Sequence, residues 1–189
     1  MYNAIFKLTM LEGATVVGFA DDIVVVVAAK NLEEVTLIAN QAVVTVRGWP
    51  SSVGQQLADH KTEVLLVTSR KHTESITVTF GRHEIRSQSF LKYIGVMIDA
   101  RLRFNVHAEY ISAKSAKVAS FLPRLMPNVE GPREISRRLL APVVPSIMLY
   151  AVPIWKEMVT KSYRRKLVSV YRRVSLRTVC AFGLFPTKR

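Results

Sequence analysis

Only one cysteine, Cys180, occurs in 189 residues, so no disulfide can close within the chain. That usage fits an intracellular setting, nuclear or cytoplasmic, rather than secretion. Histidines are also few. His60, His72, His83 and His107 are scattered, with no two at zinc-ligand spacing, which excludes a structural zinc module. The dipeptide Gly-Lys is absent, so there is no G-x-x-x-x-G-K-[ST] phosphate loop, and the triphosphatases built on one are excluded. The segment from Leu139 to Trp155 is uncharged but short, and it contains Pro142, Pro145 and Pro153. A spanning helix takes about 20 apolar residues, so this segment reads as part of a buried, proline-kinked helix over Arg133–Met158. Lys7 and Glu12 interrupt the apolar stretch from Met1 to Ala20, and Asp21 and Asp22 follow, which argues against a secretory signal.

What is present is an ordinary globular mixture, 49% apolar and 22% charged. A chain of this length buries roughly 70% of its unfolded surface without staples. Its charge is uneven. Residues 1–100 carry 9 basic and 10 acidic side chains, while residues 101–189 carry 18 and 4. A nearly neutral half followed by a dense cation points to a polyanion bound by the second half: nucleic acid, or the surface of an anionic membrane.

Periodicity divides the chain in the same place. Thr15–Ala20 and Ile23–Ala29 read as apolar strands around Asp21-Asp22, the pattern of a hairpin with both carboxylates at or beside its tip. Asn31 is placed to cap a helix whose first turn holds Glu33 and Glu34 and whose apolar positions include Val35, Ile38, Ala42 and Val46. Trp49-Pro50 is expected to disturb that helix, which resumes over Val53–Leu57. Thr62–Thr68 reads as a strand. Ile76, Val78 and Phe80 alternate with threonines before a Gly81-Arg82 turn into a partner strand near Ile85. Leu91–Ile98 reads as one further strand, with Gly95 marking a bulge or close approach. From Phe104 the pattern is helical: Phe104–Leu125, then the proline-kinked helix, then a last helix with the stripe Tyr163, Leu167, Val170, Tyr171 and Val174. The expected fold is α+β, with an antiparallel sheet and packed helix over 1–99 and an all-helical basic bundle over 100–189.

Two adjacent aspartates between greasy strands are electrostatically awkward. They are either a solvated turn or the oxygen ligands of a hard divalent ion such as Mg²⁺, which binds through one or two carboxylates plus substrate phosphates.

The order of the short blocks adds what no single block carries. Val17-Gly18-Phe19-Ala20-Asp21-Asp22, then His60-Lys61-Thr62-Glu63, then Leu91-Lys92-Tyr93-Ile94-Gly95-Val96 follow one another, with further matches at Asp99–His107 and Leu149–Trp155. In this order the chain resembles the reverse transcriptases of non-LTR retrotransposons, especially insect Jockey-like and ribosomal-DNA-inserting elements, from about residue 15 to 180. The resemblance implies the second half of a polymerase palm over 1–99, with a primer-grip hairpin, and a thumb over 100–189. It implies an RNA-directed DNA polymerase acting on an RNA template and a DNA primer, with deoxynucleoside triphosphates and a two-ion Mg²⁺ site, and no membrane partner.

Residue by residue, the resemblance makes Asp21 and Asp22 the metal ligands and Lys61 a contact to the nucleotide's phosphates. Leu91, Tyr93 and Gly95 become the grip on the primer terminus. Phe19 takes an aromatic place near primer and template, or is simply core, and Glu63 is a solvated strand partner. The family also carries an earlier palm strand with another catalytic aspartate and a nucleotide-holding glycine segment, and neither occurs between Met1 and Ala20. Carboxylates from one turn cannot alone clamp two ions about 3.5–4 Å apart, so the expectation is a fragment inactive by itself. In the helical half Lys114, Lys117, Arg124, Arg137, Arg138, Arg164, Arg165, Arg172 and Arg173 are candidate phosphate contacts, which set affinity and register but not sequence preference. Arg164-Arg165-Lys166 has the composition of a short nuclear import signal. The competing reading is a non-catalytic nucleic-acid-binding module in which the aspartates are relics.

Overall fold

The computed structural model describes residues 10–20, 22–52, 58–70, 74–125 and 139–178. The chain divides into two compact units, Met1–Leu91 and Lys92–Arg189. Among the described residues the strands pair as three separate two-stranded ribbons, not as one continuous sheet.

In the first unit, β1 (Ala14–Phe19) and β2 (Asp22–Val27) form an antiparallel hairpin with Val16 opposite Val25 and Phe19 opposite Asp22. Its far end is closed by the Ala28 N–H donating to the Gly13 carbonyl at 2.8 Å. Gly13 is required there: its φ is +89°, and a Cβ would stand 2.7 Å from the Ala28 carbonyl oxygen. Val16, Ile23 and Val25 pack on Val46 and Trp49 of helix α1 (Leu32–Ser52).

Helix α1 starts where the charge and capping pattern puts it. Asn31 Oδ1 accepts the Glu34 N–H at 2.8 Å, and Glu34 Oε2 reaches back to the Lys30 N–H at 3.3 Å, a reciprocal cap. Its buried side chains Ile38, Ala42, Val46 and Trp49 recur at steps of three and four. The expected break at Trp49-Pro50 does not occur, since the helix continues to Ser52. Trp49 is anchored in the core, and a proline in the last turn removes only one intrahelical bond. The resumption expected at Val53–Leu57 lies outside the described residues.

On another part of α1 lies the hairpin of β3 (Thr77–Phe80) and β4 (His83–Arg86), turned by Gly81 at φ +68°. Ile76 and Val78 bury with Leu66 against Leu32, Val35, Ala39 and Val43, and Asn40 Oδ1 accepts the Thr79 N–H at 2.8 Å. The strand expected over Thr62–Thr68 is reduced to a single parallel bridge, Leu65 with Gln88. Burial of Leu66 and one bond, from the Gln88 N–H to the Val64 carbonyl, hold the segment. Without a continuous partner, β propensity alone makes no ladder.

The second unit begins within a ribbon. Leu91–Ile98 is not one strand but two, β5 (Phe90–Tyr93) and β6 (Val96–Asp99), folded over a turn at Ile94 and Gly95 with φ of +46° and +78°. Positive φ at both central residues is the backbone of a tight hairpin turn, and in a β-branched residue such as Ile94 it is strained. Val96 joins Phe104, Ala108, Ile111, Val144, Trp155, Leu167 and Val174 in a core shared with helices α2 (Asn105–Leu125), α3 (Val143–Leu149), α4 (Val152–Trp155) and α5 (Lys161–Thr178).

Between β6 and α2 the Asp99 carboxylate organises the loop. Oδ1 accepts the N–H groups of Arg101 and Arg103 at 3.0 and 3.1 Å, and Oδ2 accepts that of Phe104 at 2.6 Å. The proline-kinked helix is corrected over its described part to separate helical pieces, residues 139–140, then α3, then α4, the last two parted at Tyr150 and by Ala151 at φ +52°. Pro142 caps α3, while Pro145 and Pro153 lie in first turns. There a missing N–H costs nothing, so each proline fits where a helix starts rather than inside one. On α5, Leu167 and Val174 are buried, but Tyr171 at the edge of the expected stripe is 49% exposed.

Candidate functional site

The acidic hairpin is paired as far as Phe19 opposite Asp22, with Ala20 at φ +52°. Asp21 lies outside the described residues. Asp22 is exposed as the first residue of β2, opposite a Phe19 that is itself 60% exposed, so Phe19 is not core. Among the described residues no three carboxylate, imidazole or thiol groups converge as metal ligands. Asp22 is thus the one carboxylate of the expected pair whose placement is described, and one carboxylate alone does not clamp two ions.

Lys61 closes a 3-10 turn over Asp59–Lys61, its N–H bonded to the Ala58 carbonyl, and its side chain is exposed, as is that of Glu63. No hydrogen bond or ion pair joins Lys61 to Asp22. On β5, exposure alternates: Leu91 and Tyr93 are half-buried on one face, and Phe90 and Lys92 are exposed on the other.

In the second unit the cations of α2 form a pattern that composition did not reveal. Tyr110, Lys114, Lys117, Phe121 and Arg124 recur at steps of four, three, four and three, which places them on one stripe beside the buried face. Phe121 is 48% exposed on that stripe. The cations lie over rings: Lys114 is 5.9 Å from the Tyr110 centroid and Arg124 is 5.9 Å from that of Phe121. Helix α5 carries Arg164, Arg165, Arg172 and Arg173, all exposed, spread over its outward surface, with Lys166 over Tyr163 at 5.1 Å. Tyr163 ties α5 to α2 through its hydroxyl, which donates to Glu109 Oε1 at 2.5 Å and is thereby raised above the ordinary tyrosine pKa. Arg164 donates to the Lys156 carbonyl at 2.5 Å, so part of its donor capacity is committed within the chain. Arg137 and Arg138 lie outside the described residues.

Where β5–β6, α2 and α3 meet there is a cavity of about 270 Å³ lined by Lys92, His107, Tyr110, Lys114, Ile147 and Tyr150, among others. Tyr150 donates its hydroxyl to the Ile94 carbonyl at 2.7 Å, clamping the strained turn, and its ring would stand 3.2 Å from a Cβ on Gly95. Gly95 thus marks a close approach, as read from the sequence. His107 is 1% exposed; its Nδ1 accepts the Met97 N–H at 3.2 Å, which leaves the proton on Nε2. Burial lowers its pKa, so the ring is neutral. Sequence reading did not single out Lys92, His107, Tyr110, Phe121 or Tyr150. For Phe121 the stripe spacing was a usable signal; for Lys92, alternation along β5 was.

Compared with known proteins, the chain is 24% identical over 165 residues to the retrovirus-related Pol polyprotein from type-1 retrotransposable element R1 2 of Nasonia vitripennis. The match takes in 84% of this chain and 40% of the relative's length, so the chain spans well under half of the protein it resembles. No family model and no solved structure matches. The similarity supports a retrotransposon-derived origin for this sequence.

Proposed function

We propose that this chain is part of an RNA-directed DNA polymerase of a non-LTR retrotransposon. In this reading the first unit supplies part of the palm and the second a thumb-like helical clamp on primer–template. The observation that carries it is the pairing of Phe19 with Asp22 at the end of the β1–β2 hairpin, which sets Asp22 at the start of a strand opposite an exposed aromatic in a chain similar to a retrotransposon Pol polyprotein. Asp21 and Asp22 would hold Mg²⁺ there, and the ion would supply charge stabilisation at the transferring phosphoryl group. Further ligands are needed to complete that site, so polymerisation belongs to a larger protein and the purified chain does not extend a primer.

A primer-extension assay tests this directly. Templated, Mg²⁺-dependent synthesis by the chain alone would overturn the fragment reading. Fused to the upstream part of a related polymerase, the chain should support synthesis that Asp21→Ala with Asp22→Ala abolishes. Unchanged synthesis in that variant would favour the non-catalytic module instead.

The α2 stripe supports nucleic-acid binding under either reading. Ammonium and guanidinium groups over exposed rings neutralise phosphates and offer stacking faces. Affinity for an RNA–DNA duplex should fall linearly with the logarithm of salt concentration. Alanine at Lys114, Lys117 or Arg124 should each reduce the slope by roughly 0.9. Fluorescence anisotropy across a salt series measures it, and a slope unmoved by all three substitutions would take the stripe out of the interface. Binding to anionic vesicles that duplex fails to compete would point to a membrane surface instead; among the described residues no helix is long and apolar enough to span one.

A further inference from the structure

The chain contains three Arg-Arg pairs. Two are followed, two residues on, by leucine, Leu140 and Leu167, and one by a hydroxyl, in Arg172-Arg173-Val174-Ser175-Leu176 on α5. Guanidinium groups three and two residues before a serine, with an apolar residue after it, suit a serine kinase whose substrate groove pairs arginines with carboxylates and holds the apolar residue in a slot. The polymerase reading gives Ser175 no part.

On α5 the groups of this pattern differ in access. Arg172 and Arg173 are exposed, and among the described residues neither guanidinium is held by a carboxylate. The Ser175 hydroxyl is likewise uncommitted among the described residues, whereas those of Ser120 and Ser146 are bonded to carbonyls three residues back. Ser175 and Leu176 are half-buried, and Val174 is 3% exposed. A kinase takes its substrate extended, so the stretch from Arg172 to Leu176 must first leave the helix. Of that stretch only Val174 belongs to the core, and Val170 and Leu167 hold α5 one and two turns earlier. Opening is therefore local, at a fraction of the cost of unfolding the unit.

A phosphate at Ser175 would oppose reclosure. It brings about −1.5 to −2 charges, and a half-buried position strips part of their hydration. Pairing with Arg172 one turn back returns little, because a cation N-terminal to its anion is the weaker order on a helix.

We propose that Ser175 is the phosphoacceptor for an arginine-directed serine kinase, and that its phosphate holds the Arg172–Leu176 stretch out of the core. The Ser175 hydroxyl oxygen attacks the γ-phosphorus of ATP. The new O–P bond forms as the bond to the β–γ bridging oxygen breaks, ADP leaves with that electron pair, and the hydroxyl proton passes to a carboxylate of the kinase. The modification subtracts about two charges from the cationic half of the chain. The proposal goes beyond the polymerase reading and does not require it.

The full chain, incubated with a purified kinase of this specificity, ATP and Mg²⁺ and mapped by tandem mass spectrometry, tests the site. Ser175 should carry the phosphate in the folded chain, and Ser175→Ala should remove it. Arg172→Gln and Arg173→Gln, both at exposed positions, should each slow labelling about tenfold, as for loss of a hydrogen bond to a charged group. Val174→Ala should speed it about tenfold, because two fewer methyl groups hold the stretch closed and labelling follows the open fraction. Hydrogen exchange on the phosphorylated chain should show residues 172–176 losing protection while Leu167 to Val170 keep theirs. Labelling that requires denaturant, or that falls only on other hydroxyls, overturns the site. A rate unmoved by both arginine substitutions overturns the recognition, and one unmoved by Val174→Ala overturns the opening step. Unchanged protection after phosphorylation overturns the release.

Discussion

Replacing Asp99 with alanine is expected to destabilise the helical unit by about 2–4 kcal/mol, the sum of three hydrogen bonds to a carboxylate discounted for a half-exposed site. The three donors are the N–H groups of Arg101, Arg103 and Phe104, the last at 2.6 Å. The loop they close contains Leu102 and Phe104 at φ of +53° and +56°. Such left-handed conformations cost about 1–3 kcal/mol each in non-glycine residues and persist only where surroundings impose them. Because Phe104 is buried in the core, losing the carboxylate moves a packed ring as well as a loop. The chain has one tryptophan in each unit, Trp49 and Trp155. In a Trp49→Phe background, Trp155 fluorescence therefore reports the second unit alone. With a urea slope of about 2 kcal/mol per molar, the midpoint should drop by roughly 1–2 M. Asp99→Asn, which keeps one accepting oxygen, should fall between. A change under about 0.5 kcal/mol for Asp99→Ala, the range of an ordinary surface substitution, would refute the role given to this carboxylate.

Asn31→Ala should cost about 1 kcal/mol through loss of the α1 cap, read as a lower thermal midpoint of the first unit, whereas Asn31→Asp should be nearly neutral. Gly95→Ala should cost about 1–3 kcal/mol, because it demands positive φ of a Cβ-bearing residue and presses on the Tyr150 ring; a wild-type denaturation midpoint would contradict the turn geometry. Stability should also depend on pH through His107. Its folded pKa lies below 6.5, so its contribution is complete above pH 6.5 and is lost as pH falls through the folded value, where the unfolded chain binds the proton first. Denaturation midpoints from pH 7.5 down to 5 should show this fall in the wild type and a flatter profile in His107→Gln. Parallel profiles would remove His107 as the cause.

The local grammar of the chain was enough for much of this. Apolar runs around the acidic pair wrote the ribbon at 14–27 and alternation that at 77–86, Asn31 with Glu34 wrote the start of α1, and three- and four-residue steps wrote the rest of α1 and the stripe of α5. Each of these depends on neighbours close by in the chain. The lopsided charge pointed to a polyanion, nucleic acid or an anionic membrane surface, and the ordered blocks to a resemblance with retrotransposon proteins. Packing alone decided the rest. Leu91–Ile98 folds back on itself because the hydroxyl of Tyr150, far along the chain on another element, takes the Ile94 carbonyl. Thr62–Thr68 stays a single bridge for want of a strand to pair with, and α1 runs through Pro50 because Trp49 is already buried. The cavity joins Lys92, Lys114, His107 and Tyr150 from separate elements, and none of their spacings predicts that meeting. Periodicity reports which face of an element is apolar, whereas a site is set by which faces meet, and that depends on contacts distant in sequence.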